Sequence, residues 1–140
     1  PSADRRRYLG KLSGPLMDRV DLRVDMHPVL AGAFGDHAAE STSAVRARVA
    51  SARAAAAERW QDVGVRTNAE VPGPVLRRKF RLSRDAMEPL RKSLDSGRLS
   101  IRGVDRTLRV AWSLADLAGR ESPNLEDVST ALGFREGDVR

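Results

Sequence analysis

Val20, Leu22, Val24 and Met26 alternate with Asp21, Arg23, Asp25 and His27. Period two predicts a β-strand over residues 20–27 with one buried face. A lone strand has neither ladder partners nor cover for that face. It is therefore expected to be displaced, frayed or paired with another copy of the chain. The stretch 28–40 is rich in Gly and Pro and predicts a linker. The pattern then changes to helical spacing. Ser41 or Thr42 caps a long helix on which Val45, Val49, Ala52, Ala56 and Trp60 recur, with Arg46, Arg48, Arg53 and Arg59 largely off that stripe, and Gly64 ends it. Residues 65–74 hold two prolines and a glycine and predict a loop, with Asn68 as a turn residue. Residues 75–81 predict a short helix or turn.

Three more amphipathic segments complete the chain. Ser83 caps a helix over 84–96 whose inner face is Met87, Leu90 and Leu94, with Pro89 in its first turn or at a kink and Gly97 as its stop. Ser100 opens the strongest helix, 101–118. Ile101, Val104, Leu108, Ala111 and Ala115 form its stripe, widened by Val110, Leu114 and Leu117, and a stripe that broad predicts burial against more than one neighbour. Asn124 starts the last helix with Asp127 three residues on, in the manner of a capping box; Leu125, Val128 and Leu132 face inward and Gly133 closes it. The predicted fold class is mainly α: a helical bundle preceded by one β-strand.

Composition sharpens this picture. At 140 residues the chain is about one domain long. Hydrophobic residues make up 41% but aromatics only 4%, so the core is expected to be Leu, Val and Ala, with Trp60 and Trp112 as core or interface anchors. The net charge is +6 and nearly all of the basic side is Arg. That bias fits a GC-rich genome or contact with phosphates of nucleotide or nucleic acid. The chain has no cysteine, which excludes disulfides and thiolate metal sites. His27 and His37 lack the spacing of a helical metal pair and are expected to be structural or solvated. No apolar run approaches the ~20 residues needed to span a bilayer, so the chain reads as soluble and cytoplasmic.

The candidate chemistry begins at Ser13-Gly14-Pro15, a small-residue turn that leads into Leu16-Met17-Asp18-Arg19. An Arg held by a rigid turn just before a strand is placed to project from the end of a sheet. Its planar fork of donors suits phosphate oxygens. Taken alone, Arg19 is equally suited to a salt bridge with Asp18 or Asp21 that orders the turn.

The run Arg7-Tyr8-Leu9-Gly10-Lys11-Leu12-Ser13-Gly14-Pro15-Leu16-Met17-Asp18-Arg19-Val20-Asp21-Leu22-Arg23-Val24 resembles a block late in the ATPase core of the Mg-chelatase-like AAA+ ATPases, specifically the ComM (YifB) branch. Met17 and Val20 are its volume-conserving departures. Asn68-Ala69-Glu70 also matches. So does the block from Leu99-Ser100-Ile101-Arg102-Gly103 through Arg106, Arg109-Val110-Ala111 and Ala115-Asp116-Leu117-Ala118-Gly119.

The resemblance implies that residues 1–28 end an AAA+ core, that 29–42 link, and that 43–140 form a helical lid. It implies an arginine finger at Arg19, acting in trans on a neighbouring subunit's nucleotide, and a sensor-2 contact to the γ-phosphate at Arg102. Gly103, costing about 1 kcal/mol of helix stability relative to Ala, would permit close approach there; the alternative for Arg102 is an exposed first-turn charge. Arg106 and Arg109 can share a face with Arg102 and are expected to be lid-surface charges, while Asp105 and Asp116 can pair with neighbours. The dense cluster Arg77, Arg78, Lys79, Arg81 and Arg84 suits nucleic-acid backbone or, more readily, a solvated or subunit face, since it has no interleaved aromatics for base stacking.

No G-x-x-x-x-G-K-[ST] loop occurs in the sequence. The chain is therefore expected to be a carboxy-terminal part of an ATPase, inactive alone and binding no cofactor by itself. The resemblance implies ATP and Mg²⁺ for the full-length protein. Its implied partners are its own upstream core, neighbouring subunits of a homo-oligomeric ring, and DNA, with branch migration in recombination as the activity. Two alternatives stand beside this: the lid of a chelatase-type motor that drives metal insertion into a porphyrin, and a non-enzymatic basic helical domain that binds DNA or serves as an adaptor.

Overall fold

The computed structural model describes residues 13–26 and 40–136, together with Arg7, Gly10 and Lys11. His27, His37 and the expected linker over 28–39 lie outside the described residues. Helix α1 is a single turn, Gly14–Met17; it is followed by α2 (Thr42–Arg59), α3 (Gly73–Arg78), α4 (Arg84–Asp95), α5 (Ile101–Leu117) and α6 (Leu125–Glu136). Short 3₁₀ turns lie at Gln61–Val63 and Asn68–Glu70.

Helix α5 is the axis of the bundle, with α2, α3, α4 and α6 all packed against it. It buries Val104, Leu108, Ala111, Trp112 and Ala115, which is the multi-sided burial its broad stripe predicted. Each fully buried Leu or Val contributes about 1.5–3 kcal/mol relative to exposure. Trp60 is completely buried and meets Phe80 and Trp112 edge-on, with ring centroids 4.6 and 5.4 Å away. Two tryptophans and a phenylalanine thus fill the space that small aliphatic residues leave open.

The helix starts follow local chemistry. The hydroxyls of Ser41, Ser83 and Ser100 accept from the backbone N–H groups of Ala44, Ala86 and Gly103. Asn124 and Asp127 cap reciprocally, each side chain accepting the other's backbone N–H at 3.0 Å. Helix α2 stops earlier than Gly64, because Trp60 turns in to the core and a 3₁₀ turn follows; Gly64 ends that turn with φ +77°. Pro89 is the sixth residue of α4, in its second turn rather than its first.

Several expectations are corrected. No strand forms among the described residues: 20–26 carry no ladder, and Leu22, Val24 and Met26 are 52%, 62% and 88% exposed. The alternation has no neighbouring strand to pair with, and the first carbonyls of the segment accept side-chain donors instead, as described below. Residues 65–74 are not wholly loop, since α3 begins at Gly73. Gly133 does not end α6, which runs on to Glu136. Ile101 and Leu125 are half-exposed, since each lies in the first turn of its helix, beyond its neighbours' cover.

Candidate functional site

Ser13 caps α1, its hydroxyl accepting from Leu16 N at 3.3 Å. Pro15 lies at the helix start, where its missing N–H is no loss. This turn delivers Asp18-Arg19-Val20-Asp21 against the bundle, near the start of α5 and the end of α6. Arg135, on α6, is 7% exposed and ion-pairs with Asp18. Its guanidinium also donates to the backbone carbonyls of Asp18 and Val20 at 3.1 and 3.2 Å. Arg106, on α5, donates to the carbonyl of Arg19 at 2.8 Å and ion-pairs with Asp21. Three successive carbonyls, at residues 18, 19 and 20, are therefore held by arginines of the bundle. Arg23 N donates to Phe134 O at 2.7 Å and ties the next stretch to the end of α6.

These contacts decide between the two possibilities for the aspartates. Asp18 and Asp21 are engaged by Arg135 and Arg106, not by Arg19. Arg19 is exposed, its guanidinium donating to Pro15 O at 3.0 Å, and it has no carboxylate partner among the described residues. Arg102 is likewise exposed in the first turn of α5. The N-cap of that helix adjoins the turn, since Ser100 Oγ lies 3.5 Å from Asp18 Oδ1.

Gly103 has a structural role here. A Cβ at that position would lie 2.6 Å from Leu99 Cδ1 and 3.0 Å from Arg135 Nε. The bare α-carbon leaves room for the Leu99 side chain and for Arg135 to pass across α5 to Asp18. A cavity of about 450 Å³ lies beside the junction, lined in part by Met17, Asp18, Arg23, Arg98 and Arg135.

The other candidate residues are dispersed. Arg77 is ion-paired with Asp105 of α5. Lys79 lies 3.9 Å from Asp62 and 5.6 Å from the Phe80 ring centroid. Arg78 and Arg81 are exposed. Arg109 is not a surface charge: it donates twice to Val71 O, at 2.8 and 3.0 Å.

A second polar assembly sits between α2 and α5. Asp116 pairs with Arg59, whose guanidinium carbon stands 4.3 Å from the centroid of Trp112. Asn68, expected as a turn residue, is buried. Its Oδ1 accepts Trp60 Nε1 at 2.7 Å, and its Nδ2 donates to Ser113 Oγ and Asp116 Oδ2 at 3.1 and 2.8 Å. Glu70 folds back on the same turn. Its carboxylate accepts from the Thr67 hydroxyl and from the Arg66 and Thr67 N–H groups, and these hold it below the usual carboxylate range. The Asn-Ala-Glu segment is thus a structural keystone.

The sequence reading passed over Arg135, because the last helix was expected to stop at Gly133. The signal that could have found it is the pair of aspartates flanking Arg19, which demanded cations from elsewhere in the chain.

The family described as magnesium chelatase, subunit ChlI C-terminal, matches residues 39–135, and magnesium chelatase, subunit ChlI, matches residues 1–33. An uncharacterized protein of Mycobacterium tuberculosis is 68% identical over 139 residues, which is 99% of this chain and 28% of that protein. Competence protein ComM of Haemophilus influenzae is 32% identical across 92% of this chain and 25% of its own length. The uncharacterized protein YifB of Escherichia coli is 33% identical across 94% of this chain and 26% of its own. The chain thus spans about a quarter of the length of these curated relatives. No solved structure matches it.

Proposed function

The chain belongs to the magnesium chelatase subunit ChlI C-terminal family, and from that premise we propose that it is the helical lid, with the arginine turn before it, of an ATP-hydrolysing ring motor of the ComM kind that works on DNA. Residues 1–28 then close the ATPase core, 29–42 connect, and 43–140 are the lid. Arg19 acts in trans on the γ-phosphate of a neighbouring subunit's nucleotide. Arg102 touches the γ-phosphate bound by its own subunit.

The observation that carries this reading is the division of labour among the arginines. Asp18 and Asp21 are neutralised by Arg135 and Arg106, which leaves the Arg19 guanidinium exposed on a braced turn. Water attacking the γ-phosphorus of ATP drives negative charge onto the transferring group and its leaving oxygen. A guanidinium donates to such oxygens through a planar fork and keeps its charge at any working pH. A finger of this type is worth on the order of 10³–10⁵ in rate. Mg²⁺ in such reactions screens the phosphate charges.

The DNA assignment rests on the relationship to ComM, and the net charge of +6 agrees with it. Arg78, Lys79, Arg81 and Arg84 are the exposed members of the basic cluster that suit phosphate contact, whereas Arg77 is engaged by Asp105.

The test uses the complete ATPase. Arg19→Ala keeps ATP binding and loses nearly all turnover, and mixing it with subunits whose own nucleotide-binding loop is disabled restores part of the activity. A mixture with no recovery overturns the trans assignment. Arg102→Ala slows hydrolysis without changing the melting of the lid; wild-type rates would remove its phosphate contact. A salt titration of DNA binding by this chain alone separates a lid from an autonomous DNA-binding module, which would give a steep slope.

A further inference from the structure

We propose that Arg106 and Arg135 are positioning residues for Arg19: they clamp the arginine turn to α5 and α6, so that the turn and the helix carrying Arg102 move as one body. This rests on the roles proposed above for Arg19 and Arg102, and it adds a route by which the nucleotide on one subunit governs the finger offered to the next.

The argument is geometric. Arg19 lies two residues beyond a one-turn helix that buries none of its residues, so the turn has little apolar packing to hold it. Its anchorage is polar and comes from the bundle. Arg106 grips the carbonyl of Arg19 itself and the side chain of Asp21, while Arg135 grips the carbonyls on either side and the side chain of Asp18. Charge-assisted contacts at several successive points, two from Arg106 Nη1 and three from the Nη atoms of Arg135, restrain the turn in orientation as well as distance. Arg106 lies one helical turn beyond Arg102 on α5. Asp18 also approaches the N-cap hydroxyl of that helix. A tilt of α5 on engagement of Arg102 is therefore transmitted to the backbone of Arg19 through one turn of helix and one guanidinium. Strand pairing is not what orders residues 18–23 here; the arginines and the Phe134 carbonyl are.

A double-mutant cycle in the complete ATPase tests the clamp. Arg106→Met removes the charge and keeps the apolar stem. It is expected to lower kcat for ATP at least 10-fold with KM for ATP changed less than twofold. Placed on Arg19→Ala it is expected to lower kcat no further. Asp21→Asn, which leaves the bundle untouched, is expected to give a smaller loss in the same direction, and Arg106→Lys to recover part of the activity. Wild-type kcat in Arg106→Met, or a further 10-fold loss on top of Arg19→Ala, overturns the clamp. Full activity of Arg19→Ala alone would instead overturn the finger assignment, which is a different result.

The second measurement needs only this chain. Amide exchange across residues 16–23 in Arg106→Met is expected to rise at least 10-fold while the amides of α5 and α6 keep their protection. Unchanged exchange in that stretch overturns the proposal even if activity falls. Arg135 is buried, and its variants risk unfolding α6, so Arg106 and Asp21 carry the test.

Discussion

The molecule uses Arg–Asp pairs in two places, and they do different things. Between α2 and α5, Asp116 is almost wholly buried, with 1% of its side chain exposed, and it is shared by Arg59 and Asn68 beneath two tryptophans. At the other junction, Arg106 and Arg135 reach out of the bundle to Asp18 and Asp21, whose side chains are 35% and 50% exposed. The first assembly closes on itself: its main donors and acceptors meet inside the fold. The second is open, and it neutralises the aspartates beside Arg19 while leaving that guanidinium exposed. The comparison teaches that the exposure of the partner carboxylate, more than residue type or the burial of the arginine, separates the two assemblies: Asp116 is enclosed, whereas Asp18 and Asp21 face water.

The largest expected effect lies in the closed assembly. Asp116→Ala strands the Arg59 charge under the indoles and removes an acceptor from Asn68. Breaking one side of a buried pair costs about 3–5 kcal/mol, and urea unfolding should show a loss of that size. A loss below about 1 kcal/mol would mean that the site is wetter than its burial implies and would erase the contrast. Asn68→Ala comes next. It leaves the buried Trp60 Nε1 without an acceptor, at a cost of about 1–3 kcal/mol, with a shift in tryptophan fluorescence as a second readout.

Arg106→Met belongs to the open assembly and should change global stability by no more than about 1 kcal/mol, as for partly exposed pairs. A larger loss would place the clamp in the same class as the Asp116 network. The smallest effect concerns acid. Thr67 and neighbouring backbone N–H groups lower the pKa of Glu70, so its ionised form favours the folded state. That contribution is complete above the unfolded carboxylate pKa and disappears as pH falls through the lower folded one. Thr67→Val should lower stability slightly at neutral pH and flatten the acid limb of the stability curve; a loss as large in acid as at neutral pH would contradict this.

Much of the helical architecture was legible because helix ends are local events. Ser83, Ser100 and the Asn124–Asp127 pair cap where their spacing to the following residues allows a side-chain oxygen to reach a free N–H. Gly97 and Gly119 stop helices because they adopt φ of +72° and +68°. The inner residues of α5 were legible for the same reason, since a 3.6-residue stripe identifies one face. The stripe does not say how far a neighbour extends along that face, which is why Ile101 and Leu125 were assigned inward and lie half-exposed. The strand over 20–27 failed on a related ground: alternation describes a segment, whereas a ladder needs a partner that the described residues do not contain.

The candidate site was legible only as residue types. Arg19 and Arg102 stood out by their place in a recurring block, and their proposed roles still await the variants above. Which cations would satisfy Asp18 and Asp21, and what Gly103 was for, depended on Arg135 crossing from α6 to a residue more than a hundred positions earlier. Family and most of the helix starts are properties of short stretches of chain, and the sequence by itself determined them. The freeing of Arg19 and the burial of Asn68 and Asp116 were decided by the tertiary structure alone, because charge pairing and burial depend on distances in space that residue order does not contain.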